Sequence, residues 1–126
     1  MIAFSQDTAL LLDHKNEVAR FVPYDGELDT LRALLDVDLL DIIRLDRKHI
    51  VFVDDEAFYK QYKTGFLLTY KGRQTKFVGS GLLVGDNHGS NAPLTLNHGD
   101  LKIDILKLTY ETYETREETT GQEEGL

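Results

Sequence analysis

The chain has 126 residues, no cysteine, and 22 acidic against 14 basic side chains, for a net charge of −8. That length suits one ordinary domain able to bury its own core, and the missing thiols exclude disulfides and thiolate metal sites. The negative field opposes direct binding to DNA or RNA, because the densest basic cluster, Arg44, Arg47 and Lys48, is interrupted by Asp46.

The opening MIAFSQDTALLLDHK lacks the basic start and long apolar run of a signal peptide. No stretch reaches the ~18–20 apolar residues of a membrane span. The expectation is a cytoplasmic protein with no membrane partner.

Thr8 to Leu12 and Glu17 to Val22 are apolar-rich runs separated by the turn-forming DHKN, which predicts a hairpin ended by Pro23. In ELDTLRALLD, Leu28, Leu31, Leu34 and Leu35 share one helical face, with Asp25 as N-cap and Glu27 and Asp29 in the first turn. Leu39 to Leu45 reads as a strand, and Ile50 to Val53 as a central strand covered on both faces. Phe58 and Tyr62 at i, i+4 predict a short helix over Glu56 to Tyr62.

GFLLTY (65–70), KGR and QTKFV (74–78) read as a further hairpin, with GLLVG (81–85) as its continuation. The near-repeat NHGS (87–90) and NHGD (97–100) predicts two turns bracketing a short strand Leu94 to Leu96. LKIDILKLTY (101–110) reads as a last strand, although a helix also fits its Leu101, Ile105 and Leu108. The fold class expected is α+β: one small domain over 1–110, mainly antiparallel sheet with one or two short helices. Residues 111–126 read as an acidic, mobile tail.

In FVGSGLLVGDNHGSN, Gly79, Gly81 and Gly85 match a spacing seen in some dinucleotide-binding turns. That motif works only where a helix opens at the second glycine, and DNHGSNAP cannot continue one. The glycines therefore read as a bulge or close backbone crossing at Gly79 and Gly81 and a turn at Gly85. Asp86, His88 and Ser90 alternate like EF-hand ligands, but Asn91 stands where glycine is required and Asn97 where the bidentate Glu belongs. Neither a P-loop nor a G-x-S-x-G elbow is present. Asp54, Asp55 and Glu56 close a buried strand, where they either hold a metal or cap the short helix after it; capping is the favoured reading.

Arg44 onward, through HIVFVDDEAF, GFLLTYKGR and GSGLLVGDNHGSNAPL, the chain resembles a family of small uncharacterised proteins of phages, plasmids and gut-bacterial mobile elements. That family has a strand ending in an acidic D/N-E-G-like turn and a G-x-G-x-V-x-G-x-D-x-x-G…P segment. The matching positions are Asp55 and Glu56, then Gly79, Gly81, Val84 or Leu83, Gly85, Gly89 and Pro93. The Val22 to Leu35 region is also similar, so the likeness covers about two thirds of the chain; it departs at Ala57, where the family has Gly. The resemblance implies a small α+β domain of mobile-element origin, with no activity or catalytic residue to carry over.

The leading expectation is a non-enzymatic accessory protein that antagonises a host factor by binding a protein or a nucleotide-like small molecule, without a cofactor. Its ligand residues are taken from Arg73, Gly79, Ser80, Gly81, Asp86, Asn87, His88, Ser90 and Asn91. One alternative is a metal-dependent phosphoester hydrolase using Asp54, Asp55, Glu56 and a turn histidine, which requires those side chains within ~5 Å of a common point. Another is a structural phage component. Many strands in a short chain leave edges to cover, so a homodimer is also expected.

Overall fold

The computed structural model describes residues 8–92, 94–95 and 98–108. Nine strands and one helix follow in the order β1 (Thr8–Asp13), β2 (Val18–Pro23), α1 (Leu28–Leu35), β3 (Leu40–Arg44), β4 (His49–Asp54), β5 (Thr64–Tyr70), β6 (Arg73–Val78), β7 (Gly81–Asn87), β8 (Ser90–Ala92) and β9 (Leu101–Lys107). One sheet runs β2-β1-β7-β4-β3, with β8 also paired to β7, and the other runs β6-β5-β9. Every pairing is antiparallel. The domain is therefore richer in sheet than an α+β reading with one or two helices implies.

The two sheets and the helix form three layers, and this explains why β1, β4 and β7 read as continuous apolar runs. Alternate residues point to opposite faces. Leu10, Leu12, Val51, Val53 and Leu83 meet Phe66, Leu68, Tyr70 and Phe77 of the three-stranded sheet. Ala9, Leu11, Ile50, Leu82 and Val84 meet Leu31 and Leu35 of α1, with Val22, Tyr24 and Val37. The edge strands β2 and β3 are largely exposed, with Val22 the buried residue of β2.

The glycine segment makes the passage from one sheet to the other. Gly79 has φ +80, and a Cβ there would lie 2.8 Å from the Tyr62 ring. Its N–H donates to the Thr64 carbonyl at 2.9 Å, closing the β5–β6 pair before the chain crosses. Gly81 lies under the Phe77 ring, 2.6 Å from where its Cβ would stand. GLLVG is thus no continuation of the β5–β6 hairpin: it crosses to the centre of the six-stranded sheet, between β1 and β4. Gly85 is not a turn residue either but lies within β7, opposite His49; the turn falls at His88 and Gly89, with φ of +54 and +93.

Three local expectations are corrected. Helix α1 starts at Leu28 with Glu27 as N-cap and no side-chain cap; Asp25, the expected cap, instead accepts from the Glu27 N–H and the Thr30 hydroxyl. The helix expected over Glu56 to Tyr62 is a single 3-10 turn, Ala57–Tyr59. Asp54 gathers that segment around itself through its neighbours' donors, so Phe58 is left 96% exposed rather than packed with Tyr62. Leu94 and Thr95 are not in a strand; β8 forms at Ser90–Ala92 instead, because the tight His88–Gly89 turn folds it back on β7. Pro93, Leu96 and Asn97 lie outside the described residues, as do the end of the 101–110 segment and the 111–126 tail. Among the described residues, no helix is long and apolar enough to cross a membrane.

Candidate ligand cleft

Strand β4 separates the expected site residues into two groups. Its residue His49 lies opposite Gly85, and Val53 opposite Gly81. At ~3.3 Å per residue the two ends of such a strand stand roughly 16 Å apart. Gly79, Ser80 and Gly81 belong with Asp54, Asp55 and Glu56 at the C-terminal end of β4. Asp86, Asn87 and the His88–Gly89 turn belong at the N-terminal end, as does Arg73, the register partner of Tyr70. Asp54 to Glu56 and His88 therefore do not converge on one point. Among the described residues, no group of three or more His, Asp or Glu side chains is placed to hold a metal ion.

At the C-terminal end the polar groups are occupied with one another. Asp54 accepts from the Tyr62 hydroxyl at 2.6 Å and the Glu56 N–H at 2.8 Å, and pairs with Lys60 Nζ at 3.0 Å. Ser80 Oγ accepts from the His14 N–H at 3.0 Å, tying the β1–β2 turn to the crossing. Burial pushes the Asp54 carboxyl up, but the Tyr62, Glu56 and Lys60 donors outweigh it and hold it below the usual carboxylate range. Burial and the same carboxylate push the Tyr62 hydroxyl well up. These are structural braces. Tyr62→Phe is expected to cost about 1.5–3 kcal/mol, the worth of a hydrogen bond to a charged acceptor, measured by urea unfolding.

Asp13 and Asp46 are also held below the usual range, in each case by hydrogen bonds that outweigh burial. All three carboxylates bind protons less readily in the folded state. Their stabilisation is complete above the ordinary value of 3.8 and drains away as pH falls below it. The urea midpoint is expected to decline modestly as pH falls below about 6.5, because burial holds the His14 imidazole below its usual value, and to fall steeply below about 4.

At the other end the side chains form an open cleft. Asp46 is its hub: it accepts from the Tyr70 hydroxyl at 2.8 Å and the Lys48 N–H at 2.8 Å, and it contacts His49 Nδ1 at 3.0 Å. His49 is 3% exposed. Its Nε2 accepts from the Thr95 N–H at 3.1 Å, which places the ring proton on Nδ1, donated to Asp46. Thr95 Oγ1 is also 3.1 Å from Nε2, so Asp46, His49 and Thr95 stand in the order of a catalytic triad. The main-chain N–H already occupies the Nε2 lone pair, however, and leaves no free base to take a hydroxyl proton. His49 is a staple for the chain at Thr95.

The cleft above this network has a volume of about 380 Å³ and is lined by Asp46, Arg47, Lys48, His49, Tyr70, Lys71 and Thr95. A second lobe of about 230 Å³ adjoins it, lined by Lys48, Asp86, Asn87, Ala92 and Thr95. Lys48 and Thr95 border both lobes. The two carboxylates are already engaged: Asp46 as above, Asp86 by Arg44 Nη2 at 2.8 Å and by the Gly89 N–H at 3.1 Å. Arg47, Lys48 and Lys71 have no carboxylate partner among the described residues. Lys71 is carried there by the tight β5–β6 turn, where it and Gly72 have φ of +51 and +80.

Of the residues expected to bind ligand, Asp86 and Asn87 line the cleft, and Arg73 stands at the same end without lining it. His88 is exposed at the β7–β8 turn. Ser90 and Asn91 contribute backbone to β8, and their side chains lie outside the described residues. Sequence reasoning missed Asp46, Arg47, Lys48, His49, Tyr70, Lys71 and Thr95. The signal present was the Arg44, Arg47, Lys48 cluster, set aside because Asp46 interrupts it; Asp46 is the residue that organises the site.

Fold and cleft together define a class: a small three-layered, mainly antiparallel domain with a cation-lined cleft at one end of its sheets. Comparison with protein-family models, curated proteins and solved structures found no match to this chain.

Proposed function

We propose that the protein is a non-enzymatic binding domain whose cleft takes a small anionic molecule of nucleotide type. One observation carries the reading: Arg47, Lys48 and Lys71 surround a single cleft, with no carboxylate partner among the described residues, in a chain of net charge −8. Arg32, Lys63, Arg73 and Lys76 also have no carboxylate partner among the described residues, but they do not line this cleft. Three left together facing one hollow suit an anionic guest. The cleft volume falls within the roughly 300–1,000 Å³ of small-molecule sites.

Resemblance to mobile-element proteins supplies the biological side of the proposal, a phage or plasmid accessory protein that sequesters a nucleotide-derived signal of its host. The His49 lone pair is committed to Thr95, which supports binding rather than turnover. Calorimetric titration with nucleoside mono-, di- and triphosphates is expected to show saturable binding with the nucleotide recovered intact. Lys48→Glu should weaken it by roughly tenfold or more, each ~1.4 kcal/mol of lost attraction being one factor of ten. Binding unchanged in that variant, or no binding across the series, contradicts the reading.

A further inference from the structure

We propose that the Phe58–Tyr59 turn is a docking knob for the cleft of a second copy of this chain, so that copies associate head to tail. Phe58 and Tyr59 are 96% and 87% exposed. They sit side by side on the 3-10 turn that Asp54 braces through Glu56, Lys60 and Tyr62. Large aromatics held out in water on a braced turn have the character of an interface hot spot.

Charge selects the partner. Asp55 and Glu56 stand three and two residues before Phe58, and Asp38 lies close enough to act on Lys60. None of the three is in an ion pair among the described residues. A symmetric knob-to-knob contact brings these carboxylates face to face and is opposed by like-charge repulsion. The complementary surface stands at the opposite end of β4, where Arg47, Lys48 and Lys71 ring the cleft of about 380 Å³. An aromatic ring entering there meets cations over its face, as the Tyr70 ring already meets Lys71 Nζ at 5.2 Å. Because knob and socket are different surfaces at opposite ends of one strand, the contact is heterologous and repeats from copy to copy.

Head-to-tail docking does not rest on the small-ligand reading, although the two share the cleft and nucleotide is expected to compete with assembly. Sedimentation velocity at low salt tests it. The wild-type mass should rise with protein concentration and fall when salt is added. Phe58→Ser/Tyr59→Ser removes the knob, and Arg47→Glu/Lys71→Glu reverses the socket; all four side chains are exposed, so both variants should fold. Each alone should be monomeric, while their mixture should form a pair that grows no further, one knob in one intact socket. A wild type that stays monomeric at every concentration overturns the proposal. So does assembly that survives loss of the knob, or a mixture that forms no pair. The knobless variant keeps the cleft, so its nucleotide binding should match that of dilute, monomeric wild type and exceed that of wild type at concentrations where copies assemble. Loss of nucleotide binding would count against the cleft's ligand and not against the docking.

Discussion

Phe66→Ala is expected to destabilise the fold by about 3–5 kcal/mol, the usual cost of emptying a buried phenylalanine site. Phe66 is 0% exposed and sits at the centre of β5, where it packs between the two sheets and tilts against Phe77 at 5.7 Å between ring centroids. The surrounding residues Leu12, Val53 and Leu83 belong to three different strands of the other sheet, so collapse around the void would have to move several hydrogen-bonded strands together. A loss of that size is at least about a fifth of the roughly 5–15 kcal/mol that holds a domain folded, and most of it for a domain at the low end. It should lower the melting temperature by roughly 10–20 °C. Phe58→Ala is the matched control. The same residue type at 96% exposure contributes almost no burial, and its loss should leave the melting temperature of the monomer unchanged. Calorimetry on both variants separates burial from residue type.

His49→Ala is the second large effect, and it reaches both fold and cleft. The imidazole is buried and uses both ring nitrogens, one toward Asp46 at 3.0 Å and one toward the Thr95 N–H at 3.1 Å. Its removal leaves a cavity between Asp46 and Thr95 and deprives a partly buried carboxylate of one partner, for an expected cost of about 2–4 kcal/mol. The chain at Thr95 then loses the side chain that holds it over the cleft. Nucleotide affinity should fall even though no cation is removed. His49→Phe tells the two contributions apart. It restores volume but neither hydrogen bond, so it should recover part of the stability and little of the affinity. An affinity unaffected by either change would mean that the Thr95 segment is no part of the site.

The layered core was legible in the sequence where burial is two-sided. The continuous apolar run of β4 announces a central strand, and the leucine spacing of α1 announces a helix with one apolar face; β1 and β7 carry similar runs but read only as hairpin strands until the sheet order is seen. What local pattern cannot show is which sheet a strand joins. GLLVG comes after QTKFV with only Gly79 and Ser80 between, the separation of a simple continuation. Gly79 at positive φ, closed down on Tyr62, lets the chain leave one sheet and enter the other within that distance. The same blindness to long-range register divided the candidate site. Gly79–Gly81 and Asp86–Asn87 are neighbours in sequence, yet they stand at the two ends of one strand.

The cleft was hidden for a different reason. Its residues come from the β3–β4 turn, the β5–β6 turn, the end of β7 and the segment at Thr95, which are brought together only by the stacking of two sheets. Each local signal has an ordinary meaning when read alone. Asp46 looks like a break in a basic cluster, His49 like the polar start of a strand, and Lys71-Gly72 like a hairpin turn. Their common chemistry is visible once Tyr70, His49 and Lys48 are seen to share the Asp46 carboxylate.

Binding of an anionic small molecule between Arg47, Lys48 and Lys71 is tested most directly by nuclear magnetic resonance. The isotope-labelled chain is titrated with nucleoside phosphates and followed at every backbone amide. Saturable shifts are predicted for Arg47 to His49, Lys71, Asp86, Asn87 and Thr95, with Gly79 to Gly81 and Asp54 to Glu56 unmoved. An absence of saturable shifts, or shifts confined to the Gly79–Gly81 end, would contradict the assignment of the cleft.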